Sequence, residues 1–281
     1  MTPPSTETAV PVVRIQPTGG FLELNLRELW DYRELLYFLV WRDVKVRYKQ
    51  AVIGVGWAIL QPFLTMIVFS IFFGHLAKLP SGGLPYPIFY YSALLPWNYF
   101  AQALTGATNS MIENQRIITR IYFPRLILPL AAVLTGLVDF AIAFIILLAM
   151  LWWYGISPSP TLALLPIFGL LAVMTALGVG VWLAALNAVY RDVRYVIPFL
   201  LQFWLFASPV VYPSSLVPPH WQWVYGLNPM AGVIEGFRWG LTGQGRPPDL
   251  MLCATAGAVA LILVGGLLYF QWMEETVVDV V

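Results

Sequence analysis

Few residues in this chain could do chemistry, and they stand far apart. The single cysteine, Cys253, lies in an apolar run, so no disulfide framework is encoded. It reads as a small buried or lipid-facing side chain. The two histidines flank different apolar segments, His75 at the end of one and His220 at an interface. Neither a His-Glu-x-x-His motif nor a Cys/His cluster occurs. The lysines are Lys45, Lys49 and Lys78, none follows a glycine, and no phosphate loop of the Gly-x-x-x-x-Gly-Lys-Ser/Thr type is present. The residue types thus encode no catalytic centre, no metal site and no nucleotide loop of that kind. Three isolated features remain. One is the acid Asp139 inside an apolar run. The second is Glu235 and Arg238, spaced three apart to pair on a helix or to meet a second copy, with two solvated charges as the alternative. The third is the stretch Glu113 to Arg125, where Arg116, Arg120 and Arg125 surround Tyr122-Phe123-Pro124.

The elements that must position these residues explain why the chemistry is sparse. Hydrophobic residues make up 59% of the 281 and charged residues only 10%, against roughly 25% charged in soluble domains. The chain is read as an integral membrane protein, and its net charge of +1 gives no reason to expect nucleic acid. Val52 to Leu76 is 25 residues without a formal charge, longer than the ~18 that mark a candidate membrane-crossing helix. Arg42, Lys45, Arg47 and Lys49 stand just before it and hold that flank in the cytoplasm. Residues 1–24 are rich in Pro, Thr and Gly, lack the apolar core of a signal peptide, and read as a mobile tail. The first span is then expected to be retained as a signal anchor.

Residues 25–281 read as one transmembrane domain. Residues 25–50 are expected to form an amphipathic helix at the bilayer surface, with Leu26, Leu29, Trp30, Leu36, Leu39 and Val40 near helical spacing. An ordinary helix packed on a neighbour is the alternative. From Asp43 to Lys49 charged and apolar residues alternate with a strand period, but a lone strand would leave its backbone unpaired, so a continuing or broken helix is preferred. Spans are expected at about 52–76, 88–111, 126–153, 162–190, 196–213 and 250–272. The second is the least apolar, holding Asn98, Gln102, Thr105, Thr108 and Asn109, and polar residues inside a span face other helices or a cavity. The fifth is short and carries Pro198 and Pro209. After it, Asn228-Pro229 reads as a helix start, Asn as N-cap and Pro at the first position.

Charge distribution orients these spans. With the N-terminus inside, the cytoplasmic segments hold Arg14, Arg27, Arg33, Arg42, Lys45, Arg47, Lys49, Arg116, Arg120, Arg125, Arg191 and Arg194; the outer segments hold Lys78, Arg238 and Arg246. That asymmetry fits six spans with both ends in the cytoplasm. Asp139 is then an acid at membrane depth with no basic residue inside a span to pair with. Hydroxyls such as Thr105, Thr108 or Thr135 are its expected partners, or it sits protonated, and a structural role in the bundle is favoured over a proton relay.

Long strings of the sequence resemble the ABC-2-type export permeases, in order along the chain. They run from Arg42 to Pro62, Leu84 to Phe100, Ile118 to Leu130, Asn187 to Pro213 and Gly226 to Gly243, and the likeness is greatest to the polysaccharide, O-antigen and teichoic-acid exporters. The resemblance implies an all-α integral membrane protein with six transmembrane helices, an N-terminal amphipathic interface helix and short re-entrant gate helices between spans 5 and 6. It implies a permease in the cytoplasmic (inner) membrane that works as a homodimer with two copies of a separate ABC ATPase and moves a lipid-linked glycan outward. No cofactor is expected on this chain; ATP and Mg are expected on the partner. It also implies that Arg116, Arg120, Tyr122, Phe123, Pro124 and Arg125 form the element that docks on the ATPase, and that Asn228, Pro229, Glu235 and Arg238 lie in the external gate. The family often carries an acid in a Leu-Val-Asp-Phe setting like Leu137 to Phe140. One departure is the tail, where Gln271 to Glu275 lacks the basic residues that relatives often place there.

Aromatic residues make up 15% of the chain. Sugar rings present C–H faces that stack on aromatic planes, which suits a path for a long glycan. Trp57, Tyr90, Tyr91, Trp97, Tyr99, Phe100, Phe203 and Trp204 are the expected path residues, with an interfacial belt or simple packing as the alternative for each. A membrane-embedded transferase using Asp139 or Glu235 would need clustered acids, histidines or a metal site. An ion-driven secondary transporter would show internal repeats and several intramembrane charges. Neither pattern is present in the sequence.

Overall fold

A computed structural model describes residues 26–49, 56–157, 159–190, 192–243 and 250–280. Expectations placed on residues 1–24, and on Arg191 and Arg246, lie outside them. All regular structure among the described residues is helical. Helices α1 (Leu26–Asp31) and α2 (Arg33–Lys49) are separated only by Tyr32. Tyr32 N–H donates to the Glu28 carbonyl at 3.2 Å and Leu36 N–H to the Tyr32 carbonyl at 3.1 Å, so the two continue as one rod. The strand-like alternation of 43–49 is overridden, because a helix satisfies its own backbone where no partner strand exists.

The long helices follow. Helix α3 (Gly56–Phe69) runs into a π-helical turn, Ser70–Leu76. Helix α4 is Tyr86–Glu113, α5 is the short Gln115–Ile118, and α6 is Ile127–Trp153. A 3₁₀ turn, Pro160–Leu164, leads into α7 (Leu165–Val189). Helix α8 (Val193–Ala207) ends where Ser208, the residue before Pro209, is driven to extended backbone at φ −108° and ψ 156°. Two 3₁₀ turns, Ser214–Leu216 and Pro219–Trp221, precede α9 (Gln222–Gly226), α10 (Pro229–Thr242) and α11 (Leu250–Val280). Helix α10 stops at Gly243, whose φ of 65° is the left-handed cap that lets its N–H reach the Trp239 carbonyl at 2.8 Å.

Among the described residues, four stretches are long and apolar enough to cross a membrane: Ile59–Leu76, Ile127–Trp153, Pro160–Val189 and Met251–Met273. Helix α4 has the length but is more polar, and α8 is apolar but has only 15 residues. The reason α4 tolerates its polarity is its place. It packs against α6, α7, α10 and α3, and Tyr90, Tyr91, Phe100, Leu104 and Ala107 are fully buried at the centre of the larger core. Its hydroxyls bond its own carbonyls, Thr105 to Ala101 at 2.7 Å and Thr108 to Leu104 at 2.8 Å. A second, smaller core gathers Leu39 of α2, Met111 at the end of α4, Phe123, the start of α6, and Val181, Ala184 and Phe270 of α7 and α11.

The bundle closes where α7 meets α11. A Cβ added at Gly178 would stand 2.8 Å from the Leu263 Cα, and one added at Gly266 would stand 2.3 Å from the Gly178 carbonyl oxygen. Small residues there bring the two backbones together, the packing available to helices that lipid cannot squeeze by hydrophobic force. Gly178→Val should therefore force α7 from α11 and cost about 1–3 kcal/mol. Gly169→Ala, whose Cβ meets nothing within 4 Å, should leave stability within about 1 kcal/mol of the parent. Thermal unfolding in detergent reads the difference, and equal midpoints for the two variants would contradict the packing described.

Candidate functional site

Three groups of polar and aromatic residues are built on this scaffold. The first is the turn between α4 and α6. Asn114 ends α4, its side-chain N–H donating to the Ser110 carbonyl at 2.8 Å while its Oδ1 accepts from Arg42 Nη2 at 2.8 Å. The α2 rod is thereby fastened to the start of the turn; Arg42 Nε also donates to Asp43 at 2.8 Å. Arg116 and Arg120 are exposed, and Pro124 and Arg125 are half-buried. The aromatic pair divides: Tyr122 is 60% exposed, whereas Phe123 is 4% exposed and belongs to the smaller core. The two were expected to act together; Phe123 instead anchors the turn while Tyr122 faces out. The Tyr122 hydroxyl donates to Glu28 Oε1 at 3.4 Å, and Tyr32 donates to the Tyr122 carbonyl at 3.5 Å. A cleft of about 250 Å³ opens among Ile118, Arg120, Tyr122, Phe123 and Arg125.

The second group surrounds Asp139, and it corrects the sequence reading. Asp139 is buried on α6, but its partners are not hydroxyls of the bundle. Thr105, Thr108 and Thr135 donate to carbonyls of their own helices. Asp139 Oδ2 accepts from Arg47 Nη1 and Oδ1 from the Tyr48 hydroxyl, both in the last turn of α2. The expectation failed because it looked for a cation only inside the spans. The cation stands 92 residues earlier, on a helix outside them. Burial, then the hydrogen bond to Asp139 and the charge of that carboxylate, push the Tyr48 phenol above its ordinary range.

The third group ties α8, the following turn and α10 together. Asn228 caps α10, its Oδ1 accepting from Met230 N–H at 3.1 Å and from Trp204 Nε1 at 2.8 Å. Its amide N–H groups reach the Ala207 carbonyl and Ser208 Oγ, each at 3.0 Å. Pro229 is buried at the first helical position. About two turns on, Glu235 Oε1 accepts from Ser214 N–H at 3.0 Å and from Arg238 Nη1 at 3.3 Å. Arg238 is only 4% exposed, donates to the Val210 carbonyl at 3.1 Å, and lies 3.7 Å over the Phe89 ring. Of the alternatives left open for Glu235 and Arg238, two solvated charges is excluded. They form a paired, hydrogen-bonded cluster that reaches back to the turn after α8.

The expected path aromatics scatter. Tyr90, Tyr91, Trp97, Tyr99 and Phe100 are buried inside the chain, so as single-chain surface they line nothing. Trp204 is half-buried against Phe100, ring centroids 5.0 Å apart. Trp57 and Phe203 are exposed. Phe203 has companions that the sequence reading passed over: Tyr195, Phe199, Phe203 and Phe206 are all more than half exposed and fall along one face of α8. Their spacing of four, four and three was present in the sequence as a helical period. Away from these groups, His75 Nδ1 lies 2.9 Å from the Ser70 carbonyl, His220 is exposed near Trp221, and Cys253 is exposed. Among the described residues no three His, Cys, Asp or Glu side chains come together as a metal site would need.

Comparison with known proteins adds a second line of observation. A family model described as "ABC-2 type transporter" matches residues 34–242. The chain is 30% identical over 242 residues to the O-antigen export system permease protein RfbA of Myxococcus xanthus, covering 85% of this chain and 91% of that one. It is 29% identical over 218 residues to the protein of the same name from Klebsiella pneumoniae, covering 77% and 82%. Its identity to the polysialic acid transport protein KpsM of Escherichia coli is 22% over 197 residues, covering 69% and 76%.

The Glu235–Arg238 pair gives a test of the third group. Removing one partner of a buried pair strands the other charge, a loss of about 3–5 kcal/mol, whereas replacing both with apolar residues of similar volume is often near neutral. Glu235→Leu alone should therefore lower the unfolding midpoint more than the double change Glu235→Leu with Arg238→Met. A double variant less stable than the single one would show that the cluster is held by something other than this pair.

Proposed function

This chain belongs to the ABC-2 type transporter family, and from that premise we propose that it is the membrane permease of an exporter. Its cargo is a polysaccharide, O-antigen or a related cell-surface glycan carried on a lipid, moved outward across the cytoplasmic membrane. One observation carries the reading: the likeness to a protein named as an O-antigen export permease covers 85% of this chain and 91% of that one. The composition, 59% hydrophobic with 10% charged, supports a membrane role. In this reading ATP and Mg bind an ABC ATPase subunit, two copies of which serve a homodimer of permeases, as the family suggests.

In this reading there are six spans. Helix α4, at 28 residues, reaches about 42 Å, enough for a hydrocarbon core of about 30 Å, and protein on its flanks replaces the lipid that its polar groups could not face. Helix α8 is the short fifth span, accommodated by local thinning and by the turn that continues it. The turn between α4 and α6 and both termini lie in the cytoplasm, where Arg116, Arg120 and Tyr122 meet the ATPase while Phe123 and Pro124 brace them. The segment from Ser214 to Gly243 is the re-entrant external gate, latched by Asn228 and by Glu235 with Arg238. The glycan path runs along the α8 stripe, Tyr195, Phe199, Phe203 and Phe206, facing its copy on a second protomer, with Trp57 of α3 alongside. The transferase reading is disfavoured because Asp139 and Glu235, the acids it would use, are each held by an arginine.

Deleting the gene should abolish the surface glycan of its host. The tagged chain, extracted in mild detergent, should bring down an ATP-hydrolysing subunit, and Arg116→Ala with Arg120→Ala and Tyr122→Ala should lose most of it. Phe199→Ala with Phe203→Ala should keep the ATPase yet reduce export. Unchanged surface glycan after deletion, or a chain that emerges without any ATPase from several detergents, would refute the proposal.

A further inference from the structure

We propose that the junction of Asp139 with Arg47 and Tyr48 is a positioning site for energy coupling. It fixes the end of the α2 rod on α6, so that a push on the turn between α4 and α6 reaches the first span. The inference rests on the exporter reading above and concerns how that exporter transmits force.

Three observations lead to it. First, both oxygens of the Asp139 carboxylate are occupied, and by adjacent residues of one element. An acid at membrane depth that merely needed solvation would be served by hydroxyls of its own bundle, yet Thr105, Thr108 and Thr135 are committed to their own helices. Asp139 thus acts as a fastening between α6 and α2. Second, the rod is fastened again at the turn. Arg42 bonds Asn114, Tyr122 bonds Glu28, Tyr32 bonds the Tyr122 carbonyl, and buried Leu39 shares the smaller core with Phe123. Third, the chain passes from Lys49 at the end of α2 to Gly56 at the start of α3 within a few residues. Helix α3 and the turn that follows it are loosely held, with Trp57, Leu64, Val68 and Ile71 exposed. A rod from 26 to 49, about 36 Å long, tied to the turn along one part and to α6 at its end, converts movement of the turn into movement about Asp139. Coupling of this sort travels through contiguous packed and paired groups with a demonstrable physical linkage.

A junction made of opposite charges predicts rescue by exchange, which a site that only needs volume or burial does not. The experiment uses the permease with its ATPase subunit, measuring ATP hydrolysis per complex and surface glycan per cell. Asp139→Asn should keep hydrolysis within about twofold and lower export about tenfold, the scale of one coupling interaction. The exchange Arg47→Asp with Asp139→Arg should restore most of the export. If Asp139→Asn fails to accumulate, Arg47→Gln, which leaves the α6 acid in place, carries the same expectation. The proposal is overturned if export is unaffected in both single variants, or if complex yield, hydrolysis and export fall together and the exchange restores none of them. A parent chain that binds no ATPase would overturn the exporter reading and this inference with it, a pattern distinct from either.

Discussion

A helix that carries Asn98, Thr105, Thr108 and Asn109 is poorly suited to hydrocarbon, and much of the structure follows from enclosing these residues, although Gln102 on the same helix is exposed. Helix α4 is packed against α6, α7 and α10 and supplies most of the fully buried aromatic mass of the larger core. Its hydroxyls are retired onto its own carbonyls, and Asn187 of α7 donates to the Thr108 carbonyl at 2.9 Å. The enclosing helices must then come very close to one another, which is why Gly178 and Gly266 stand where α7 and α11 cross. The helices left at the margin, α3 and α8, carry exposed apolar residues, and under the proposed function these are the faces that a second protomer and a glycan would use.

Charge is handled by a related rule. Acids that lie deep are each engaged by an arginine, and in each case a bond reaches a different segment. Asp139 of α6 is held by α2; Glu235 and Arg238 of α10 hold the turn after α8 through Ser214 N–H and the Val210 carbonyl. The expensive charges therefore sit at joints between segments rather than at a centre where bonds are made and broken. That distribution suits a protein whose work is movement.

Sequence reasoning succeeds here where the governing physics is local. Asn228 and Pro229 announce a helix start because a cap and a fixed φ act within three residues, and α10 begins at Pro229. Hydropathy marks the long apolar helices because each one's solvent is decided by its own composition. It fails at long range. Nothing near Asp139 indicates that Arg47 will arrive to meet it, and nothing in Tyr122-Phe123 indicates which ring turns inward. The aromatics of α4 are expected on a glycan path with packing as the alternative, because residue type cannot tell a lining from a core; the packing of α6, α7 and α10 around them favours the alternative. The α8 stripe was legible as a helical period but overlooked beside the denser aromatic run of α4.

The central claim is that this chain moves a lipid-linked glycan with energy from ATP hydrolysed by a partner. Inside-out membrane vesicles containing the chain and its ATPase, supplied with labelled lipid-linked glycan, test it most directly. The account predicts that the glycan becomes protected inside the vesicles only when ATP is present, and that collapsing the ion gradients leaves this protection intact. Protection that follows an imposed ion gradient in the absence of ATP would contradict it.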